Sequence, residues 1–251
     1  MKKCAIVLAS GGCDSSVCTG LAVKEFGKDN VVTVSVSYGQ KHTKELLCAA
    51  EIARHYELYH EVIDLSKIYK HSNCSLLDHS TEEIPEGSYA DQIGKSETGV
   101  VSTYIPYRNG LMLSAIAAFG LSMFPEDEVH IYLGAHADDA AGNAYPDCSK
   151  EFTDAISKAI DLGTDHRVVV EAPLVEMNKA EVVKLGLELG VPFEHTWSCY
   201  NGREKACGIH CATCIDRINA FKANGVIDPI SYSVAVDWTG CKEIDYLKEG
   251  N

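Results

Sequence analysis

The stretch Ala9-Ser10-Gly11-Gly12-Cys13-Asp14-Ser15-Ser16 lies between a short apolar run, residues 4–8, and a helix-like run, residues 17–26. A buried strand, a glycine turn and a helix start bring unpaired backbone N–H groups and the positive end of a helix dipole to one point. Phosphate is the anion that best suits such a point. Glycines let a ligand approach the backbone, serine hydroxyls add hydrogen bonds, and Asp14 offers a carboxylate to a cation. The stretch therefore predicts a phosphate site after the first strand.

This turn differs from two common nucleotide motifs. It lacks the Gly-Lys-Ser/Thr ending of a Walker A loop, and it does not have the GxGxxG spacing of a dinucleotide-binding turn. The alternative interpretation is a plain glycine turn of an α/β protein that happens to carry serines.

The rest of the chain alternates strand-like and helix-like segments. Strands are predicted at residues 31–37, 60–64, 128–134 and 167–172, and helices at 43–56, 111–124, 149–162 and 178–189. This alternation is typical of an α/β protein with a doubly wound parallel sheet, whose ligands bind at the carboxyl ends of the strands. Residues 65–101 lack clear periodicity, and a loop of that length favours a lid or a binding insertion.

Several polar residues follow the predicted strands or begin the predicted helices. Tyr38 and Gln40 follow the second strand, so they should face the same crevice as the phosphate turn. Arg108 and Asn109 precede a helix, where they contact phosphate or a substrate carboxylate, or simply supply a charge and a cap. Lys179 occupies the first position of a helix capped by Asn178, a placement that makes more sense beside an anion.

The loop at residues 135–148 has the most functional character. It carries His136 and three carboxylates, Asp138, Asp139 and Asp147, which suit Mg²⁺ coordination or proton transfer. Asp147 has a second interpretation as the cap of the helix at residues 149–162.

Bulk properties narrow the class of protein. The chain has 251 residues and a formal net charge of −14, which argues against a nucleic-acid groove. Its longest apolar runs fall short of the roughly 18 residues of a membrane helix, and its start lacks the pattern of a signal peptide. We expect a cytoplasmic protein with no membrane segment. Eleven cysteines, an odd number, without a secretion signal do not fit a disulfide scaffold.

Four of the cysteines, Cys199, Cys207, Cys211 and Cys214, lie within sixteen residues. Thiolates at such short spacings form a closed tetrahedral Zn²⁺ site, which is structural because no position stays free. His210 replacing one cysteine, an Fe–S cluster and four unrelated thiols are the alternatives. Arg217, one turn beyond Cys214, faces the crevice or offsets thiolate charge.

The string Ser-Gly-Gly-x-Asp-Ser after the first strand resembles the pyrophosphate loop of the N-type ATP pyrophosphatases. Together with the cysteine cluster and the motifs between them, it resembles the QueC family of queuosine-precursor enzymes over residues 3–230. The motifs that carry this likeness are residues 38–42, 108–109, 145–148, 173–174, 179–181, 196–200 and the cysteine cluster.

The resemblance implies an α/β fold of the HUP, or adenine nucleotide alpha-hydrolase-like, type. It divides the chain into an ATP-pyrophosphatase domain, residues 1–195, and a zinc-binding C-terminal region, residues 196–251. It further implies a cytoplasmic homodimer that uses ATP, Mg²⁺ and ammonia to convert 7-carboxy-7-deazaguanine into the 7-cyano product through an acyl-adenylate and an amide.

The implied site residues fall into three groups. The resemblance assigns the four cysteines to structural Zn²⁺ and assigns catalysis to Asp14, Asp147 and Lys179. It assigns cofactor binding to Ala9, Ser10, Gly11, Gly12, Cys13, Asp14, Ser15, Ser16, Tyr38, Gln40 and Arg108.

Three departures from the family pattern support a second hypothesis. Three residues rather than two separate Cys207 from Cys211, Ser149 stands where arginine is usual, and residues 137–144 form a longer loop. A related N-type ATP pyrophosphatase that adenylates the same or another carboxylate for a different acceptor, such as a protein amine, would look similar. A tRNA thiolase would bring a basic appendage, which this acidic chain lacks. A third hypothesis, from another class, is a zinc-containing nucleotide-binding regulatory protein.

Overall fold

The computed structural model describes residues 1–94, 100–140, 144–202 and 204–245. Its strands are β1 (Lys3–Leu8), β2 (Val31–Ser37), β3 (Tyr59–Asp64), β4 (Glu128–Tyr132) and β5 (Val168–Glu171). Its helices are α1 (Cys13–Phe26), α2 (Lys44–His55), α3 (Tyr89–Ile93), α4 (Arg108–Met123), α5 (Ala137–Ala140), α6 (Lys150–Gly163), α7 (Lys179–Glu188) and α8 (Ala212–Ala223).

The five strands form one parallel sheet in the order β3-β2-β1-β4-β5. The chain moves outward from β1 in one direction and then returns to build the other half. This confirms the predicted doubly wound α/β class. The predicted strands agree with the observed ones to within two residues at each end, whereas two helices begin earlier than expected, α1 at Cys13 and α4 at Arg108.

Side chains of β1 alternate between two apolar cores because successive residues of a strand point to opposite faces. Ile6 packs in a core with Leu113 of α4 and Ile156 of α6. Val7 packs in the opposite core, which includes Val17 of α1 and Phe221 of α8. Both faces of the sheet are therefore covered, as parallel sheets require.

The C-terminal part of the chain packs on one face of this sheet through α8. Arg217 of α8 is fully buried, and its guanidinium donates to Asp228 at 2.6 and 2.8 Å and to Thr196 Oγ1 at 2.8 Å. Arg217 therefore fixes the segments before and after α8 to each other. The sequence predicted that it faces the crevice or offsets thiolate charge, and neither alternative describes this contact. Phe221 of α8 shares a core with α1. The domain boundary at residue 195 stays a prediction.

The segment without clear periodicity carries short elements of its own. A 3-10 turn at Ser66–Tyr69 and the helix α3 lie in it, and Tyr69 and Leu77 form a small third core with Tyr38 and Ile105. Residues 95–99 of the segment lie outside the described residues. Across the part of the chain that the structure describes, no helix has the length and apolarity needed to cross a bilayer.

Candidate functional site

A cleft opens at the carboxyl ends of β1, β2 and β4, where the strand order reverses. This is the place where doubly wound sheets bind ligands. The cleft brings together nine of the residues predicted for the site: Ala9, Ser10, Gly12, Asp14, Ser15, Tyr38, Gln40, Arg108 and Lys179. Gly11, Cys13, Ser16 and Asp147 are not in its lining, and the four cysteines lie behind it.

The two glycines of the phosphate turn have different functions. Gly12 precedes α1 and lines the cleft, where an added Cβ would meet only Ser10 Oγ at 3.4 Å and the Trp197 carbonyl at 3.6 Å. Gly11 has a φ of +78° and faces α2, where a Cβ would lie 2.1 Å from the Glu45 carbonyl oxygen. The expectation that both glycines let a ligand approach is therefore wrong for Gly11, whose missing side chain allows α2 to pack closely instead.

The hydroxyls of the turn are hydrogen-bonded within it. Ser10 Oγ and Ser15 Oγ lie 3.0 Å apart, and Ser16 donates to the Gly12 carbonyl at 2.8 Å. The Cys13 thiol is buried beside Thr196 Oγ1, at 3.8 Å, rather than in the cleft. Helix geometry leaves the first N–H groups of α1 without intrahelical partners, and such groups favour an anion at the start of the helix.

Lys179 reaches this turn from α7. Asn178 caps the helix as predicted, in a reciprocal capping box with Glu181, and Asp138 accepts from the Lys179 backbone N–H at 2.7 Å. These contacts fix the start of α7, and the Lys179 ammonium then lies 2.6 Å from both Asp14 oxygens. Burial disfavours its charge, but Asp14 outweighs this and raises the pKa of Lys179 to about 12. The lysine is therefore a permanent cation in the cleft.

His136 and Asp139 complete a charged group around this pair. His136 Nε2 lies 3.4 Å from Asp139, 3.4 Å from the Lys179 ammonium and 3.9 Å from Asp14. Burial opposes ionisation of Asp14, yet the charge of Lys179, with a smaller electrostatic contribution from His136, outweighs it, so the pKa of Asp14 falls below its ordinary value. Burial raises the pKa of Asp139, and burial raises the pKa of Asp216 to about 6. The group thus holds one firmly ionised carboxylate beside two that protonate more easily.

The opposite end of the cleft is formed by β2, α2 and α4. Gln40 Oε1 accepts from the Tyr38 backbone N–H at 2.9 Å, and the Arg108 guanidinium lies 5.4 Å from the centre of the Tyr38 ring. Glu45 faces the same space, and burial raises its pKa to about 7 against the opposing charge of Arg108. This end combines an aromatic ring, a cation and a weakly acidic carboxyl group.

Asp147 lies beneath the cleft, at the start of α4. Its carboxylate accepts from the Asn109 backbone N–H at 2.8 Å, and its carbonyl accepts from the Asn109 side chain at 3.0 Å. The prediction that Asp147 caps the helix after it is wrong, because the Ser149 side chain caps α6 instead. Asp147 caps α4, the helix that carries Arg108.

The four cysteines form a buried cluster, as predicted. Cys199, Cys207, Cys211 and Cys214 place their sulfurs within 4.8 Å of one another, and Cys207 Sγ lies 3.3 Å from Cys211 Sγ and 3.7 Å from Cys214 Sγ. Bonds of about 2.3 Å to one tetrahedral ion would separate sulfurs by about 3.8 Å, so this spacing fits a single metal ion. His210 lies outside the cluster, with Nδ1 3.4 Å from Glu86. The cluster is thus a candidate metal site with four thiolates.

The family described as "Queuosine biosynthesis protein QueC" matches residues 4–225 of the chain. The chain belongs to the QueC family. The match covers the phosphate turn, Lys179 and all four clustered cysteines, so the cleft and the candidate metal site both lie within the QueC region.

Curated relatives resemble this QueC chain over nearly their whole length. The 7-cyano-7-deazaguanine synthase of Caldicellulosiruptor saccharolyticus is 40% identical over 234 residues, which are 93% of this chain and 97% of the relative. The synthase of Methanospirillum hungatei is 40% identical over 91% of this chain and 99% of its own length. That of Archaeoglobus fulgidus is 38% identical over 90% of this chain and 89% of its own length.

Several residues of the QueC cleft were not singled out in the sequence. Glu45, Tyr89 and Asp216 line it but carry no motif, since each sits on a helix or in the segment without periodicity. Tyr200 and Trp197 lie within a family motif, but nothing in the sequence indicates what they do. Tyr38 and Gln40 could be predicted because they follow a strand, and cleft residues on helix faces have no such positional signal.

Proposed function

We propose that this QueC chain is an ATP-dependent carbon–nitrogen ligase that converts 7-carboxy-7-deazaguanine and ammonia into 7-cyano-7-deazaguanine, a queuosine precursor. The names of the relatives support this reaction. The structural observation that supports it most directly is the Lys179 ammonium held at the N-terminus of α1, inside the cleft. A cation and free helix N–H groups together suit a triphosphate.

The reaction requires two activations. A carboxylate oxygen of the acid attacks the α-phosphorus of ATP and pyrophosphate leaves, which gives an acyl-adenylate. Ammonia attacks the acyl carbon and AMP leaves, which gives an amide. The amide oxygen then attacks the α-phosphorus of a second ATP, again with loss of pyrophosphate. Loss of AMP and protons from nitrogen yields the nitrile.

The chain's residues then have distinct functions. The cleft-lining residues of the turn, Ala9, Ser10, Gly12, Asp14 and Ser15, surround the pyrophosphate part and bind it through backbone N–H groups and hydroxyls. Lys179 neutralises charge that builds up on the phosphates. Tyr38, Gln40 and Arg108 bind the nucleotide or the substrate. Asp147 positions Arg108 through α4; a direct catalytic function of Asp147 stays a prediction. Mg²⁺, held by the Asp14 carboxylate, would neutralise further phosphate charge.

The reaction also releases protons, and the cleft offers groups to receive them. Ammonium must lose a proton before its nitrogen can attack a carbonyl carbon. Burial raises the pKa of Asp139 and brings the pKa of Asp216 to about 6, so either carboxylate can accept a proton more readily than an exposed aspartate. We assign proton transfer to this pair of carboxylates beside His136.

We assign the cysteine cluster to structural Zn²⁺. Four thiolates close a tetrahedral site without a free position, so Cys199, Cys207, Cys211 and Cys214 would hold the ion as a support for the loop before α8, away from the reaction. In a [4Fe–4S] cluster each thiolate binds a different iron, which separates the sulfurs more than the ligands of one ion. The observed sulfur distances favour the single ion.

The enzyme is proposed to act in the cytoplasm as a homodimer, with ATP, ammonia and the deazaguanine acid as its small-molecule partners. The two remaining hypotheses make different predictions for the purified protein. A ligase for another acceptor would release pyrophosphate without forming the nitrile. A nucleotide-binding regulatory protein would bind ATP and release no pyrophosphate.

The deciding experiment incubates purified, metal-loaded protein with Mg-ATP, ammonium and 7-carboxy-7-deazaguanine. Pyrophosphate and AMP are quantified, and products are identified by mass spectrometry. We expect the amide to appear first and the nitrile to accumulate, both dependent on the acid. Formation of neither product would overturn the proposed reaction, and adenylated acid without amide would favour a different acceptor.

A further inference from the structure

Three tyrosine hydroxyls from distant parts of the chain meet at the wall of the cleft. Tyr89 Oη and Tyr200 Oη lie 3.0 Å apart, and Tyr145 Oη lies 3.5 Å from the first and 3.3 Å from the second. Thr103 Oγ1 lies 2.6 Å from Tyr145 Oη. We call Tyr89, Tyr145, Tyr200 and Thr103 the hydroxyl cluster. Tyr89 and Tyr200 line the cleft, whereas Tyr145 and Thr103 are buried behind them.

The hydroxyl cluster has more acceptor than donor capacity. Each hydroxyl donates one hydrogen bond and accepts two. The contacts within the cluster can use all four O–H donors, and this leaves unused lone pairs on the oxygens of the two residues that line the cleft, Tyr89 and Tyr200. A ligand group that donates N–H bonds therefore suits this wall better than a group that accepts them.

Two members of the cluster also stay neutral. Burial raises the pKa of Tyr89 well above the ordinary tyrosine value and raises the pKa of Tyr145 as well. The nearby Asp139 carboxylate adds to both shifts and is itself an acceptor. The wall next to the charged group is therefore rich in hydrogen-bond acceptors, and these four hydroxyls add no positive charge to it.

We propose that Tyr89 and Tyr200 recognise the donor edge of the substrate's heterocycle, that is, the ring N–H and exocyclic amino group of a 2-aminopyrimidin-4-one. This inference rests on the proposed function, which supplies a ring with that edge. It adds two specificity-determining residues to the site, one of which, Tyr89, belongs to no motif found in the sequence.

Contacts on both sides of Tyr89 fix its position, and a residue that recognises a ligand needs such a fixed position. Ser88 caps α3 in a reciprocal capping box with Asp91, so Tyr89 occupies the first helical position. The preceding Gly87 donates its backbone N–H to the His210 carbonyl at 3.0 Å, next to the cysteine cluster. The Tyr89 ring meets the Tyr145 ring edge to face, with centroids 5.6 Å apart. The segment before residue 95 is thereby held against the cleft.

The test compares two ligands: 7-carboxy-7-deazaguanine and the same acid without its 2-amino group. Their dissociation constants are measured by calorimetry for the metal-loaded enzyme with a non-hydrolysable ATP analogue. The variants are Tyr89→Phe and Tyr200→Phe, which keep the ring, and the control is Tyr59→Phe, an exposed tyrosine on the edge strand β3.

We expect the wild type and Tyr59→Phe to prefer the amino-bearing acid by roughly three- to tenfold, the effect of one neutral hydrogen bond. Tyr89→Phe or Tyr200→Phe should bind that acid correspondingly more weakly and reduce the preference, with unchanged affinity for the ATP analogue. A general loss of structure would weaken both acids and the nucleotide together.

Other outcomes overturn the inference. If both phenylalanine variants keep the wild-type preference, or if the wild type has no preference, the hydroxyl cluster does not read this edge, while the proposed reaction still stands on its products. If the wild type neither binds nor converts the acid, the proposed function fails and this inference fails with it.

Discussion

The ammonium of Lys179 lies 2.6 Å from both carboxylate oxygens of Asp14, although 165 positions separate the two residues in the chain. The contact joins the first turn of α7 to the first turn of α1 at the mouth of the phosphate turn. Since Asp14 sustains the charge of Lys179, the cation is in place before any anion binds. A phosphate that enters the cleft meets a preorganised charge rather than a flexible side chain.

Replacing Lys179 by methionine should lower acid-dependent pyrophosphate release by roughly 10²-fold or more, since removal of one preorganised charge-stabilising donor has effects of that size. The side chain keeps its length but cannot neutralise phosphate charge. Lys184→Met, an exposed change on the same helix, is the control and should retain wild-type rates. Equal activity of both variants would remove Lys179 from the site.

Replacing Gly11 by alanine should destabilise the fold by roughly 1 to 3 kcal/mol, the range for forced overpacking. The new Cβ would lie 2.1 Å from the Glu45 carbonyl at a backbone φ of +78°. Gly163→Ala, where no atom lies within 4 Å of the added carbon, should leave the free energy of unfolding nearly unchanged. Urea denaturation of both variants measures the difference, and similar midpoints would contradict the assigned packing of Gly11.

Replacing Cys214 by serine should abolish stoichiometric zinc binding and lower the melting temperature by several degrees. The variant lacks one of the four ligands of the proposed ion, which would close the loop before α8. Cys241→Ser is the matched control, because Cys241 is a half-buried thiol outside the cluster. Elemental analysis and thermal unfolding are the measurements. Iron in place of zinc in the wild type would contradict the proposed metal.

His130 should make stability depend on pH. Its ring nitrogens lie 2.9 Å from Glu171 and 2.9 Å from Glu128. The hydrogen bond to Glu171 raises the pKa of His130, and burial lowers it by a smaller amount. The pKa of His130 therefore lies above its ordinary value. A pKa that is higher in the folded state than in the unfolded state stabilises the fold. This contribution is fully present when the pH is below the unfolded-state pKa near 6.5, and it disappears as the pH rises through the folded-state pKa.

The test compares the wild type with His130→Gln at two pH values. We expect the wild type to exceed the variant in free energy of unfolding by about 1 kcal/mol at pH 6, a modest value because Glu171 is partly exposed to solvent. The difference should shrink at pH 9. A difference that grows with pH would contradict the sign of the shift. Thr239→Ala, at an exposed position outside the sheet, serves as the control for general pH effects.

The fold was largely predictable because its signals are local. β2 is a run of β-branched residues between turn formers, and α7 begins at an Asn-x-x-Glu capping box, so their bounds could be predicted closely. The cysteine cluster was predictable for the same reason, since three of its four ligands lie within eight residues.

The rest of the site depends on tertiary contacts that local patterns do not carry. Nothing near Arg217 in the sequence indicates that Asp228 pairs with it in the core. Asp147 has a helix immediately after it, yet it caps α4, which begins 39 residues earlier. Capping propensity identified the residue type correctly, but only the packing of α4 against the β4 loop determines which helix receives the cap.

The Trp197 backbone N–H donates to the Gly11 carbonyl at 2.8 Å. During synthesis the phosphate turn leaves the ribosome well before this partner, which lies nearly two hundred residues further along the chain. A nascent chain that already contains β1 and α1 thus still lacks one of the contacts that hold the turn. The turn gains this hydrogen bond only after residue 197 has been made.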